Sequence, residues 1–145
     1  MPKVNDVMTR QFITVLPTTS IVDAVKQMRR KDDDFIVVSE NGKYRGLVTK
    51  NDIVSYITSH VDGFTRKSIA TVMNNTLPKV SAGVDIIDAA KIMARHGIQH
   101  IPVVQNGKML GLLSLDNLLR ESPALAVIVM TKQHEAKQKT LVKAA

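Results

Sequence analysis

"GLVTKND" runs from Gly46 to Asp52, and 65 residues later the chain writes "GLLSLDN", Gly111 to Asn117. Both stretches carry a glycine, apolar residues and a hydroxyl three places after the glycine. The first places Asp52 three residues beyond Thr49. The second has Asn117 there, with an Asp one position earlier. The offset of 65 extends in both directions without a gap. Val7-Met8 falls on Val72-Met73, Val15 on Val80, and Ile21, Asp23, Ala24, Lys26 and Met28 on Ile86, Asp88, Ala89, Lys91 and Met93. Ile36 falls on Ile101, Val38 on Val103, and "NGK" at 41–43 on "NGK" at 106–108. The chain is a duplication, and its period sets the reading of everything else.

Each copy has the same local grammar. Ser20 caps a helix whose apolar residues Ile21, Ala24, Val25 and Met28 recur at helical spacing, and Asp85 is expected to cap Ile86, Ala89, Ala90 and Met93 in the same way. A short apolar strand follows, "FIVVS" or "HIPVV", then Asn-Gly, the strongest short hairpin signal. A return strand, "YRGLVT" or "MLGLLS", leads into a second helix. The pattern predicts an α+β protein: two β-α-β-β-α units, each too thin to bury both faces of its sheet alone, packed about a pseudo-two-fold axis. The boundaries expected are 1–60 for the first repeat, 61–68 for a connector, 69–122 for the second repeat and 123–145 for a C-terminal extension. Within the extension "ALAVIVM" at 124–130 reads as an edge strand or a docking segment, and the Lys-rich end is expected to fray.

Composition narrows the function classes. Of 145 residues 44% are hydrophobic and 23% charged, as in ordinary globular proteins. There is no cysteine, which excludes disulfides, thiolate zinc sites and cysteine nucleophiles. The four histidines, His60, His96, His100 and His134, lack metal-ligand spacing. The opening "MPKVNDVMTRQ" has no apolar core of a secretory signal, and no apolar run is long enough to span a bilayer, so a soluble cytoplasmic protein is expected. The net charge of +7 is concentrated in residues 66–145, with eleven Lys/Arg against five Asp/Glu. It is dispersed, and the aromatic content is 3% with no Trp, so nucleic-acid binding is not expected.

The repeated phrase sits at a strand-to-helix junction. Thr49 is a natural N-cap, and the free N–H groups that begin the helix suit an anion or phosphate. A carboxylate one turn in, at Asp52, can accept two hydrogen bonds from a vicinal diol such as ribose. Thr49-x-x-Asp52 is also the spacing of a capping box, which on spacing alone accounts for both residues. The two readings stand side by side.

These residues resemble the cystathionine β-synthase (CBS) domain family in its tandem form. The resemblance rests on "VMTRQFITVLP" leading into "SIVDAVKQM", on "HGIQHIPVV" followed by "NGK", and on "GLVTKND", and covers roughly residues 4–120. It implies a regulatory, non-catalytic module that pairs as a homodimer and binds adenosyl ligands in clefts between the repeats. In the main cleft it implies Leu47, Thr49, Lys50, Asn51 and Asp52 for ribose and phosphate, and Leu77, Pro78, Ile98, Gln99, His100 and Pro102 for the wall around the base. In the second it implies Ser114 and Asn117, walled by Phe12, Ile13, Asp34, Phe35 and Val37.

This second cleft is expected to be weak. Asn117 loses the charge-assisted contact to a diol, Val37 stands where the family usually has Pro, and Asp32–Asp34 would repel a phosphate. The ligand expected is an adenine nucleotide (AMP, ADP or ATP), S-adenosylmethionine or an NAD-type molecule, with no resident cofactor and no metal. A ligand-free dimerisation or interaction module is the alternative.

Overall fold

Asn-Gly closes a hairpin in both repeats, and the strand lengths follow from it. In the computed structural model, which describes residues 1–144, Asn41 and Gly42 have φ of 54° and 75°, and Asn106 and Gly107 have φ of 54° and 78°. Two successive positive φ values make the tight hairpin turn that matches the strand twist, and Asn-Gly is the pair that adopts it most readily. Ala145 and the side chains of Lys143 and Ala144, all in the expected extension, lie outside the described residues.

The elements in chain order are α1 (Val4–Val7), β1 (Thr14–Val15), α2 (Ile21–Lys31), β2 (Phe35–Glu40), β3 (Lys43–Thr49), α3 (Lys50–Ser59), two single 3₁₀ turns at Phe64–Arg66 and Ile69–Thr71, α4 (Ile86–His96), β4 (His100–Gln105), β5 (Lys108–Ser114), α5 (Leu115–Glu121) and α6 (Pro123–Ala144). The mixed α+β architecture expected from the repeat is present. The chain divides into two compact units. The first-repeat unit comprises Gln11–Leu77 with the hairpin tip Asn106–Met109, and the second-repeat unit comprises Met1–Arg10, Pro78–Gln105 and the chain from Leu110 onward.

In the first-repeat unit the sheet order is β1-β2-β3. β1 runs parallel to β2, with Thr14 opposite Val37, and β2 pairs antiparallel with β3. The Ser20 hydroxyl accepts the Asp23 N–H at 3.0 Å and starts α2, which buries Ile21, Ala24 and Met28. They pack with Ile36, Val38, Val48, Ile53 and Ile69 in one core. At the hairpin tip the Tyr44 N–H donates to the Gly107 carbonyl at 2.8 Å and Lys43 Nζ to the Asn106 carbonyl at 3.2 Å.

In the second-repeat unit β4 pairs with β5. The counterpart of β1 shrinks to one parallel bridge, Val80 with Val103. Proline chemistry explains this. In the first repeat the Val37 N–H donates to the Ile13 carbonyl at 2.8 Å. The equivalent residues are Pro102 and Pro78, and Pro102 has no N–H to give.

The leading segments are exchanged. Residues 2–9, at the start of the first repeat, pair within the second-repeat unit; residues 67–74, at the start of the second repeat, pair within the first-repeat unit. The Pro2 carbonyl accepts the first N–H of α4, from Ile86, at 3.2 Å, and the Lys67 carbonyl accepts the first N–H of α2, from Ile21, at 3.0 Å. Thr9 exchanges two backbone hydrogen bonds with Leu112, both 2.9 Å, and Asn74 exchanges two with Leu47, at 2.8 and 3.0 Å. The repeated Val-Met therefore precedes two equivalent bridging residues, Thr9 and Asn74.

Two local expectations are corrected. Asp85 holds the N-cap position of α4, but its carboxylate does not cap the helix. It accepts from Lys3 Nζ at 2.8 Å instead, and the pair pushes the Asp85 carboxyl below its usual range and Lys3 above its own. Pro123–Ala144 of the extension is a helix, not an edge strand. α6 begins with Pro123 at its first position, where the missing N–H costs nothing. It packs on α4 and α5 and buries Ala126 and Val129 in the core that contains Ala90, Met93 and Leu118. Gln133 Nε2 donates to the carbonyls of Met93 and Ile98, at 3.1 and 2.8 Å, and so ties α6 to the C-terminal end of α4. A seven-residue apolar run fits a strand or a buried helix equally well, and packing on α4 and α5 decided for the helix.

Candidate ligand-binding site

The phrase is a capping box in both copies. At the start of α3, Thr49 Oγ1 accepts the Asp52 N–H at 3.2 Å, and Asp52 Oδ2 accepts the Thr49 N–H at 2.8 Å. At the start of α5, Ser114 Oγ accepts the Asn117 N–H at 3.1 Å, and Asn117 Oδ1 accepts the Ser114 N–H at 2.8 Å. Two donors at each helix start are thereby satisfied reciprocally.

The glycine of the phrase has a separate cause. A Cβ on Gly111 would lie 2.6 Å from Met8 Sδ and 2.7 Å from the Thr9 carbonyl oxygen. One on Gly46 would lie 3.0 Å from Met73 Sδ and 3.1 Å from the Asn74 oxygen. The exchanged segments cross so close to β3 and β5 that only glycine fits without a shift.

Beyond the box the two copies part. Asn117 is 7% exposed, the only buried polar residue among those described. Its Oδ1 also accepts the Ser114 hydroxyl at 2.9 Å, and its Nδ2 donates to Thr9 Oγ1 at 3.2 Å. Its amide is committed at both ends. Asp52 is half-buried, and its second carboxylate oxygen, Oδ1, has no hydrogen bond among the described residues. Asn74, the counterpart of Thr9, turns its side chain to Thr76, whose N–H and hydroxyl both donate to Asn74 Oδ1 at 3.0 Å.

The remaining expected site residues fall into both units. Leu47, Thr49, Lys50, Asn51, Asp52 and Leu77 belong to the first-repeat unit, as do Phe12, Ile13, Asp34, Phe35 and Val37. There Phe35 pairs with Thr49, Val37 pairs with Leu47, and the Asp34 carbonyl accepts the Lys50 N–H at 3.0 Å. Leu47, Phe35 and Val37 are buried, and Lys50, Asn51 and Asp34 are exposed. Pro78, Ile98, Gln99, His100, Pro102, Ser114 and Asn117 belong to the second-repeat unit. There the Gln99 carbonyl accepts the Leu115 N–H at 2.9 Å and the Pro102 carbonyl the Val80 N–H at 3.0 Å. Pro102 is buried, His100 half-buried and Gln99 exposed.

The role of Thr9 could not be read from the sequence. Its signal was faint: the Val-Met before it recurs in register, while Thr9 itself aligns with Asn74. No group of metal-binding side chains occurs among the described residues. No helix among them is long and apolar enough to cross a membrane.

Comparison with known proteins agrees with this construction. A CBS protein from Bacillus subtilis, YhcV, is 32% identical over 119 residues, covering 81% of this chain and 84% of its own. A conserved CBS domain protein from Thermoplasma acidophilum, TA0289, superposes with a TM-score of 0.80 at 27% identity, over 92% of this chain and 76% of its own. CBSX2, solved in complex with AMP, superposes with a TM-score of 0.71 at 24% identity, over 84% of this chain and 96% of its own. The CBS domain family model matches twice, at residues 4–59 and 69–124, once for each copy of the phrase. The chain belongs to the CBS-domain family and carries two CBS domains in tandem.

Proposed function

We propose that the chain is a regulatory sensor of an adenosyl ligand, without catalytic activity of its own. The observation that carries the reading is the carboxylate of Asp52. One oxygen caps α3, and the other is uncommitted among the described residues and can accept from a ribose diol. The Thr49 hydroxyl and the Asn51 N–H, which neither the capping box nor the Asp34 carbonyl engages, would receive phosphate or a carboxylate at the helix start, with Lys50 adjacent. Pro102, which removes a ladder hydrogen bond, leaves the Pro78 carbonyl as an acceptor for an adenine amino group. Leu77, Ile98, Gln99 and His100 would complete the wall. The AMP bound to the related CBSX2 motivates the first probe.

Titration calorimetry with AMP, ADP, ATP, S-adenosylmethionine and NADH tests the proposal. At least one should bind below millimolar, and Asp52→Ala should weaken it by about 1.5–3 kcal/mol, the worth of a hydrogen bond to a charged group. Asp52→Ala with unchanged affinity would remove the ribose role.

The second copy favours a second reading, a ligand-free interaction module, because the Asn117 amide is spent inside the protein and Asp32–Asp34 line the first repeat with negative charge. Thermal stability that responds to protein concentration and to none of the five ligands would select it.

A further inference from the structure

The exchanged segments carry the same backbone past β3 and β5 but set different side chains beside the phrase. Thr9 exchanges two backbone hydrogen bonds with Leu112, and from there its Oγ1 meets Asn117 Nδ2 at 3.2 Å. Asn74 exchanges the same two bonds with Leu47. It therefore stands at the position from which a side chain reaches the head group of residue 52. The sequences then part: two residues past Asn74 is Thr76, and two past Thr9 is Gln11.

Thr76 fixes the Asn74 amide. Its N–H and its hydroxyl both reach the same amide atom, at 3.0 Å each. A backbone N–H only donates, so that atom is the oxygen, and Nδ2 is the end left over. Nδ2 makes no hydrogen bond among the described residues, and neither does Asp52 Oδ1. Both residues are half-buried. An oriented donor and a neighbouring acceptor, unbonded to each other and partly shielded from water, suit a ligand that offers both roles. Adjacent hydroxyls do so: one donates to the carboxylate oxygen, and its neighbour accepts from the amide. Asp52 alone has one uncommitted oxygen for two hydroxyls, because Oδ2 accepts the Thr49 N–H.

We propose that Asn74 is the second reader of the sugar. With Asp52 it forms a donor–acceptor pair that selects a vicinal diol, and so ribose over either monodeoxy sugar. This role rests on the adenosyl-ligand reading above and adds to it a residue outside the repeated phrase.

Titration calorimetry with AMP and ATP, each beside its two monodeoxy forms, tests the role on wild type, Asn74→Ala and Asp52→Ala. In wild type, loss of the hydroxyl that meets Asn74 should weaken binding about three- to tenfold. In Asn74→Ala the ribose form should weaken by about that factor, and the penalty for the missing hydroxyl should vanish. A structural role for Asn74 would weaken ribose and deoxyribose forms alike. That result, or a penalty left intact in Asn74→Ala, overturns the proposal. Asn74→Thr installs the residue that position 9 already holds, so the backbone there accepts it. Its hydroxyl should close on Asp52, as Thr9 closes on Asn117, and weaken every form of the nucleotide. Ribose selectivity unchanged in Asn74→Thr also overturns the proposal. Wild type that binds none of the nucleotides, or Asp52→Ala that binds them unchanged, removes the ribose site itself and this role with it. An Asp52 effect without an Asn74 effect on selectivity removes only the second reader.

Discussion

The starts of α3 and α5 are built from one phrase, yet one ends in a half-buried carboxylate with a spare oxygen and the other in a buried amide with none. The difference follows from burial. Asn117 lies under the leading segment, and its Nδ2 meets the Thr9 hydroxyl. A carboxylate there could only accept from that hydroxyl and would carry charge into a closed site. At the equivalent place Asn74 looks to Thr76, so the end of Asp52 is left to the outside. Two copies of one motif have divided into a structural lock and a candidate binding group, and the neighbour across the exchanged strand made the division.

The sharpest way to break the comparison is at the glycines. Gly111→Ala forces a Cβ against a carbonyl oxygen and the Met8 sulfur at less than contact distance, and Gly46→Ala does so less severely. Urea denaturation should show a loss of about 3 kcal/mol for the first and about 1 kcal/mol for the second, the range for overpacking. Equal losses would mean that the two crossings are alike. Next in size is Asn117→Asp, which writes the first phrase into the second copy. It should cost about 1–3 kcal/mol of stability at neutral pH, and Asp52→Asn should cost less than about 1 kcal/mol.

The caps give a smaller contrast. Ser20→Ala removes a true side-chain cap and should cost about 1 kcal/mol. Asp85→Ala removes only an exposed ion pair with Lys3, and its loss should be slighter and vanish in high salt. The carboxyl of Asp85 is depressed and Lys3 is raised, so their contribution is present at neutral pH. It is lost as pH falls through the Asp85 value or rises through that of Lys3.

The smallest effect is spectroscopic. Burial raises Tyr44 from 10.0 to about 12. Tyrosinate absorbance should show a late-titrating phenol that Tyr44→Phe abolishes. The folded state holds that proton more tightly, so stability should be complete below pH 10 and decline as pH rises toward about 12.

Much of this was legible in the sequence because it is local. Asn-Gly, Ser20 and the spacing of Ile21, Ala24 and Met28 act within a few residues, and the offset of 65 doubled each signal. The phrase itself could be read as a cap and as a ligand contact, and its geometry as a cap is now explicit. What escaped depends on partners far along the chain. The pairing of Thr9 with Leu112 and Asn117, the diversion of Asp85 to Lys3 and the helical state of "ALAVIVM" are all decided by tertiary packing. Nothing in residues 124–130 alone says that α4 and α5 wait for them.

The exchange of leading segments also sets an order of events as the chain is made. Residues 11–74, with their own β1, α2, hairpin and α3, find nearly all their partners within that span. Residues 2–9 are synthesised well before their partners and must stay idle until Ile86, Leu112 and Asn117 exist, a closure across roughly a hundred residues that is entropically among the slowest contacts to form. During translation residues 2–9 are therefore made before the first repeat yet are among the last to settle, and a chain interrupted before residue 112 would leave them with no strand to join.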